Sequence, residues 1–274
     1  MLFRDTPDFS ACDSLGGGRR LLLIVLLATD LWYNSDMKKR MRIGDTAENK
    51  CLTNRSSIWR LAWRSTADNV VPMLVLWALA ALAVWSYYRV PVVMRFLEPL
   101  RVWQSENGAV AAFASRFVFC GLLPGVFMVT MRHLAVPRPL LVIVVQSLWS
   151  GLCGIVSGWM FSLHAMWLGT GIDFWTLAAK TVLNQFVWTP LYFAPAGAVV
   201  YFWIGRDFSI RRTREDWPDS FWRVLVMPNL VANWIVWIPV AMFIHMFPTP
   251  LQIQLAGFAN SFLCLVLLSL GKRK

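Results

Sequence analysis

PLLVIVVQSLWSGLCGIVSGWMFSLHAMWL, from Pro139 to Leu168, runs on without a single Asp, Glu, Lys or Arg. As a helix rising 1.5 Å per residue it would be about 45 Å long, more than the roughly 30 Å of hydrocarbon in a bilayer. Its apolar residues are continuous and do not alternate, which fits a membrane helix and not the lipid-facing strand of a barrel. Five further stretches share this character: 70–88, 111–131, 174–204, 220–247 and 251–270. The sequence therefore predicts an all-α fold, a multi-pass transmembrane helical bundle of about six spans. The stretches near thirty residues predict tilt, kinks or extension into the headgroup layer.

Composition agrees, with 57% of residues hydrophobic, 15% charged and 16 Trp among 274. Many of these Trp fall near span ends, where amphipathic rings anchor a chain at the membrane surface. A net charge of +11 would point to nucleic acid in a soluble protein, but its sidedness gives a better account. Outside the spans, 20 Lys and Arg lie in 1–69, 132–138, 206–219 and 271–274, against 3 (Arg89, Arg95 and Arg101) in the loops between. The positive-inside rule then places both termini on the cytoplasmic or matrix side of a bacterial inner membrane or a mitochondrial or peroxisomal membrane. The expected partner is the lipid bilayer, with a small anionic solute and a second copy of the chain as further partners, and no nucleic acid.

Three regions are expected: a polar, poorly ordered extension over 1–69, two additional transmembrane helices over 70–131 and a four-helix membrane core over 139–270. Within the extension, Trp59, Arg60, Trp63 and Arg64 suit a short helix at the headgroups. The five cysteines are scattered without CxxC spacing, which supplies neither a disulfide framework nor a zinc site. His133, His164 and His245 are too dispersed in sequence to read as a metal cluster, and no phosphate-cradling glycine loop is present. No metal, cofactor or catalytic residue is expected.

Polar side chains inside the spans are the informative exceptions, because in lipid each needs a partner or water. In 180–190, Lys180 and Asn184 are four residues apart and share a helical face, with Gln185 beside them. The next span repeats the pattern with Asn229 and Asn233, followed by His245 near its end, while Pro228 and Pro239 each remove an amide donor. Two readings of Lys180, Asn184, Gln185, Asn229, Asn233 and His245 stand side by side: hydrogen-bonding glue between helices, or the wall of a polar path. Over 147–158, small residues recur every three or four positions, and Gly154 with Gly158 forms a small-xxx-small pair that lets another helix backbone approach. Arg116, one turn inside its span, is the most awkward charge. Ser157 beside Gly158, with a later His, gives a remote alternative of an intramembrane serine hydrolase.

The order Lys180, Asn184, Gln185, Pro190, then 216–219 (DWPD), Asn233, Trp237, Pro239, Pro250 and a closing Leu268-Ser269 resembles the Mpv-seventeen and twenty-two-kilodalton peroxisomal membrane protein family. The resemblance covers roughly 154–269, the last four spans, and places the chain as a distant member. It implies a small integral membrane protein without catalytic chemistry, forming a weakly selective pore or modulating permeability to small solutes. The alternative is a non-conducting structural or assembly protein of the membrane.

Overall fold

The computed structural model describes residues 70–130 and 138–270. The 1–69 extension, with its surface helix near Trp59, lies outside the described residues, as do most of the 132–138 connection and the 271–274 tail. All regular structure among the described residues is helical. In chain order the α-helices are α1 (Val70–Arg89), α2 (Pro91–Arg116), α3 (Leu123–Thr130), α4 (Pro139–Leu168), α5 (Phe174–Val182), α6 (Ala194–Gly205), α7 (Ile210–Glu215), α8 (Met227–His245) and α9 (Thr249–Leu270). Stretches of wider π-helix, at Phe117–Leu122, Leu183–Phe193 and Trp222–Val226, join α2 to α3 and α5 to α6 and lead into α8.

Three continuous helical runs are long and apolar enough to cross a membrane: Pro91–Phe127, Pro139–Leu168 and Phe174–Gly205. Trp222–Val231 and Asn233–His245, bent by 43° relative to each other, qualify together as a fourth. The stretch after Arg89, expected as a connecting loop, is instead helical. Val90 is extended (φ −114°, ψ 101°), as the residue before a proline prefers, and Pro91 at once starts α2. Gly108, with φ 45° and ψ −109°, breaks α2 into two segments, a backbone state that glycine reaches without steric penalty. Arg95, Glu98 and Arg101 thus sit on a helix before the bend, and Arg101 pairs with Glu98.

Close backbone approach joins α2 to α4. A methyl group at Gly154 would lie 2.4 Å from the Ala112 carbonyl oxygen, one at Gly151 2.5 Å from the Phe113 ring, and one at Gly121 2.2 Å from the Ser147 Cα. Residue numbers rise on one helix as they fall on the other, so the two run antiparallel. The small residues of 147–158 are therefore a helix contact surface, as their spacing predicts. Around it, Leu76, Ala112, Met160, Phe161, Val240 and Ile253 form one apolar cluster, so α1 and α2 share a core with α4, α8 and α9.

Hydrogen bonds fix the remaining directions. The Trp77 indole donates to the Val236 carbonyl at 3.1 Å and the Tyr88 hydroxyl to the Met246 carbonyl at 2.6 Å, so α1 and α8 run parallel. Gln254 of α9 donates to Gln104 at 2.7 Å, and Gln104 donates to the Gly108 carbonyl at 2.8 Å, which holds the bend of α2 from outside. At the far end of α4, Gly169 (φ 78°) turns the chain and Asp173 accepts the Thr176 amide at 3.0 Å to start α5. That bonding to Thr176 holds the exposed Asp173 carboxyl below its usual range.

The basic 206–219 connection is folded. Ser209 caps α7, accepting from the Arg212 amide at 3.3 Å, while Asp207 and Phe208 take positive φ. Three of its arginines are paired: Arg206 with Asp216 at 2.8 Å, Arg211 with Glu215 at 2.7 Å and Arg212 with Asp207 at 3.2 Å. The exposed pairs of Arg211 and Arg212 contribute about 0–1 kcal/mol each, so the connection owes more to its cap, to the buried Arg206 and to Trp217 packing on Phe202 and Phe221.

The glycine contacts give a differential prediction. Gly154→Ala drives a methyl into the Ala112 carbonyl and should destabilise the protein in detergent by about 1–3 kcal/mol. Gly158→Ala meets the Ala112 methyl at 3.4 Å and the Ile253 side chain at 3.9 Å, without a clash, and should be neutral or slightly stabilising, because alanine favours helix by up to about 1 kcal/mol. Thermal unfolding of the two variants side by side checks this, and equal losses would contradict the register.

Candidate functional site: a polar cavity between the helices

The π-helical stretch after α5 shapes the site. A ladder that bonds each amide to the carbonyl five residues back would pair residue 190 with Gln185, but Pro190 has no amide to give. The Trp234 indole of α8 supplies the missing donor, reaching the Gln185 carbonyl at 2.7 Å. One residue back, the Thr189 hydroxyl donates to the Asn184 carbonyl at 2.8 Å. The Gln185 side chain is turned to the same helix and accepts from the Asn233 amide at 3.0 Å. Proline, indole and amides thus form one joint between α8 and the α5–α6 segment, and Phe186 packs on the Trp234 ring at 4.9 Å.

Beside this joint lies a cavity of about 170 Å³. Its wall combines Asn184, Gln185 and Thr189 with Asn229 and Asn233 of α8, Asn260 of α9, Ser157 of α4 and Arg116 of α2. Apolar residues complete it, among them Met160, Phe161, Trp237 and Ile244. Arg116 is the one charged side chain in this described wall, and its stem runs along Gly154, where a methyl would meet its Cβ at 2.9 Å. Asn229 donates to the Leu225 carbonyl at 2.6 Å, while its side-chain oxygen has no partner among the described residues. Chemically the wall offers amide donors and acceptors with one fixed positive charge, an arrangement suited to holding water or a small polar or anionic solute.

Four of the six residues expected to form the polar set, Asn184, Gln185, Asn229 and Asn233, therefore meet at one cavity. Lys180 and His245 are not in its wall. They are buried further toward the α4 C-terminus, and the His245 ring lies 5.6 Å from that of His164. Gly154 and Gly158 both face Ala112 of α2. Ser157 lines the cavity, and His164 lies seven residues on, about 10 Å along the same helix.

Several participants were not legible beforehand. Asn260, Gln104, Gln146 and Gln254 are all buried. For Asn260, Gln146 and Gln254 the available signal was a polar residue in a mostly apolar run, whereas Gln104 sits among polar neighbours and gave none. His164 and His245 looked dispersed only because sequence distance conceals that α4 and α8 end side by side. Among the described residues, no group of three or more His, Cys, Asp or Glu is placed to hold a metal ion.

The class these observations define is an all-helical bundle with apolar helices of membrane-spanning length around a polar cavity. Compared with known proteins, the chain matches no family model, no curated protein and no solved structure.

The joint at Pro190 predicts a specific loss. Trp234→Phe keeps the ring packing but leaves the Gln185 carbonyl without its donor, which should destabilise the protein by about 1–3 kcal/mol. Thermal unfolding of that variant, compared with Trp175→Phe at an exposed position, measures it.

Proposed function

We propose that the chain is an integral membrane protein of six spans that forms a weakly selective path for small solutes, centred on the cavity beside Gln185. The observation that carries this reading is the convergence of amides from three helices and the Arg116 charge on one space inside an apolar bundle. α1 and α9, with 20 and 22 residues, serve as the first and last spans, each about 30 Å long. The parallel run of α1 with α8 and the antiparallel run of α2 with α4 support alternate threading through the membrane. With that threading, the basic connections face the cytoplasm or matrix and both termini share that side. The resemblance to the Mpv-seventeen and twenty-two-kilodalton peroxisomal membrane protein family points the same way, toward permeability and away from catalysis. A small anionic solute in this cavity would meet the Arg116 guanidinium in its wall.

The second reading, a non-conducting structural protein, draws on the Asn233–Gln185 and Trp234–Gln185 bonds, which spend polar groups on joining helices. Flux measurements separate the two. Proteoliposomes should release small anions faster than empty liposomes, and Arg116→Glu should reverse the preference toward cations. Folded protein with no flux above empty liposomes would leave the structural reading.

A further inference from the structure

Outside the cavity, three basic side chains from three helices converge: His164 of α4, Lys180 of α5 and His245 of α8. They are 1%, 3% and 2% exposed. The two imidazole rings lie 5.6 Å apart at 61°, and Lys180 acts electrostatically on both. None of the four imidazole nitrogens has a hydrogen-bond partner among the described residues. No described carboxylate forms an ion pair with Lys180. Asp173, the acid that acts on it, is exposed and already caps α5 through Thr176. Gln252 lies beside His245, but its amide donates to the carbonyls of Phe247 at 2.8 Å and His245 at 3.5 Å.

The cluster therefore holds more donors than acceptors and a buried Lys180 that no described carboxylate pairs with directly, both expensive in apolar surroundings. A metal ion would be repelled by the ammonium, which has no lone pair to offer. Water would satisfy the donors and leave the charge uncompensated. The helix dipoles decide nothing, because α4 and α8 bring their C-termini to this region while α5 and α9 bring their N-termini. An oxyanion satisfies donors and charge together. We propose that His164, Lys180 and His245 form a binding site for a small oxyanion, with Lys180 as counter-charge and imidazole N–H groups as directional donors. The site is separate from the Arg116 cavity and goes beyond the conduction reading: it binds whether or not solute crosses.

A free phosphate-type anion and the phosphate of a lipid headgroup share this chemistry, and two arms distinguish them. Delipidated full-length protein in neutral detergent is unfolded thermally against rising inorganic phosphate at constant ionic strength. In parallel it is unfolded against short-chain phosphatidic acid, with phosphatidylcholine of the same chains as control. Saturable stabilisation in one arm is expected, phosphate marking a free anion and phosphatidic acid a headgroup. Lys180→Gln and His245→Gln should each weaken it about tenfold or more, as loss of a charge-assisted bond implies, whereas Asn233→Leu in the cavity should leave it unchanged. Where Lys180→Gln fails to fold, His164→Gln and Lys180→Arg take its place, the first weakening the response and the second retaining it. No stabilisation of the unaltered protein in either arm, or the same response in the variants, would overturn the site.

Discussion

The closeness of α2 and α4 is the constraint on which the rest of the bundle depends. In lipid, helices gain little by hiding apolar surface from one another, so their association rests on packing that brings backbones together. Gly121, Gly151 and Gly154 allow this, since a single methyl at any of them would collide with the partner helix. The approach also lays the stem of Arg116 along Gly154, which carries a charge into the bundle that α2 alone would present to lipid. Ser157 and Met160, on the same helix, are brought to the cavity by the same contact.

A second rule acts on the backbone. In apolar surroundings a carbonyl released by a proline or by a change of helical register must find a donor. At Pro190 the donor is an indole from another helix; beside it, a threonine hydroxyl serves Asn184. In α8, the Trp77 indole reaches the Val236 carbonyl, next to the Ile235 carbonyl that Pro239 leaves without its amide. The aromatic residues of this chain thus act in its interior as hydrogen-bond donors to irregular backbone, besides any anchoring at the membrane surface. The wide turns at 183–193 also set the amides of Asn184 and Gln185 toward α8 instead of leaving them on an even stripe facing lipid.

Helical class, the long apolar segments and the glycine contact were legible in the sequence because each is a local or periodic property. Asn184, Gln185, Asn229 and Asn233 were legible as a set for a similar reason: an amide in an apolar run has few places to go. The course of the chain after Arg89 was not. Its charges resemble those of a loop, whereas Pro91 starts a helix and a single glycine later bends it. The separation of Lys180 and His245 from the amide cavity was equally hidden. Spacing reports which face of a helix a residue occupies, but not how far a neighbouring helix has slid along it. The partnership of Gln104 with Gln254 depends on that same slide, and nothing in either residue's own neighbourhood announces it.

That partnership bears on the order in which the chain can be assembled. Gln104 waits for a residue 150 positions downstream, and Trp77 and Tyr88 wait for carbonyls 159 and 158 positions downstream. A ribosome releasing the chain from its N-terminus would deliver the earliest helices long before their mates, so they must idle beside the translocon or a chaperone with amide and indole groups unsatisfied. Truncation late in the chain would therefore injure its beginning. A protein cut before α9 would leave Gln104, at the bend of α2, without its partner, far from the missing end.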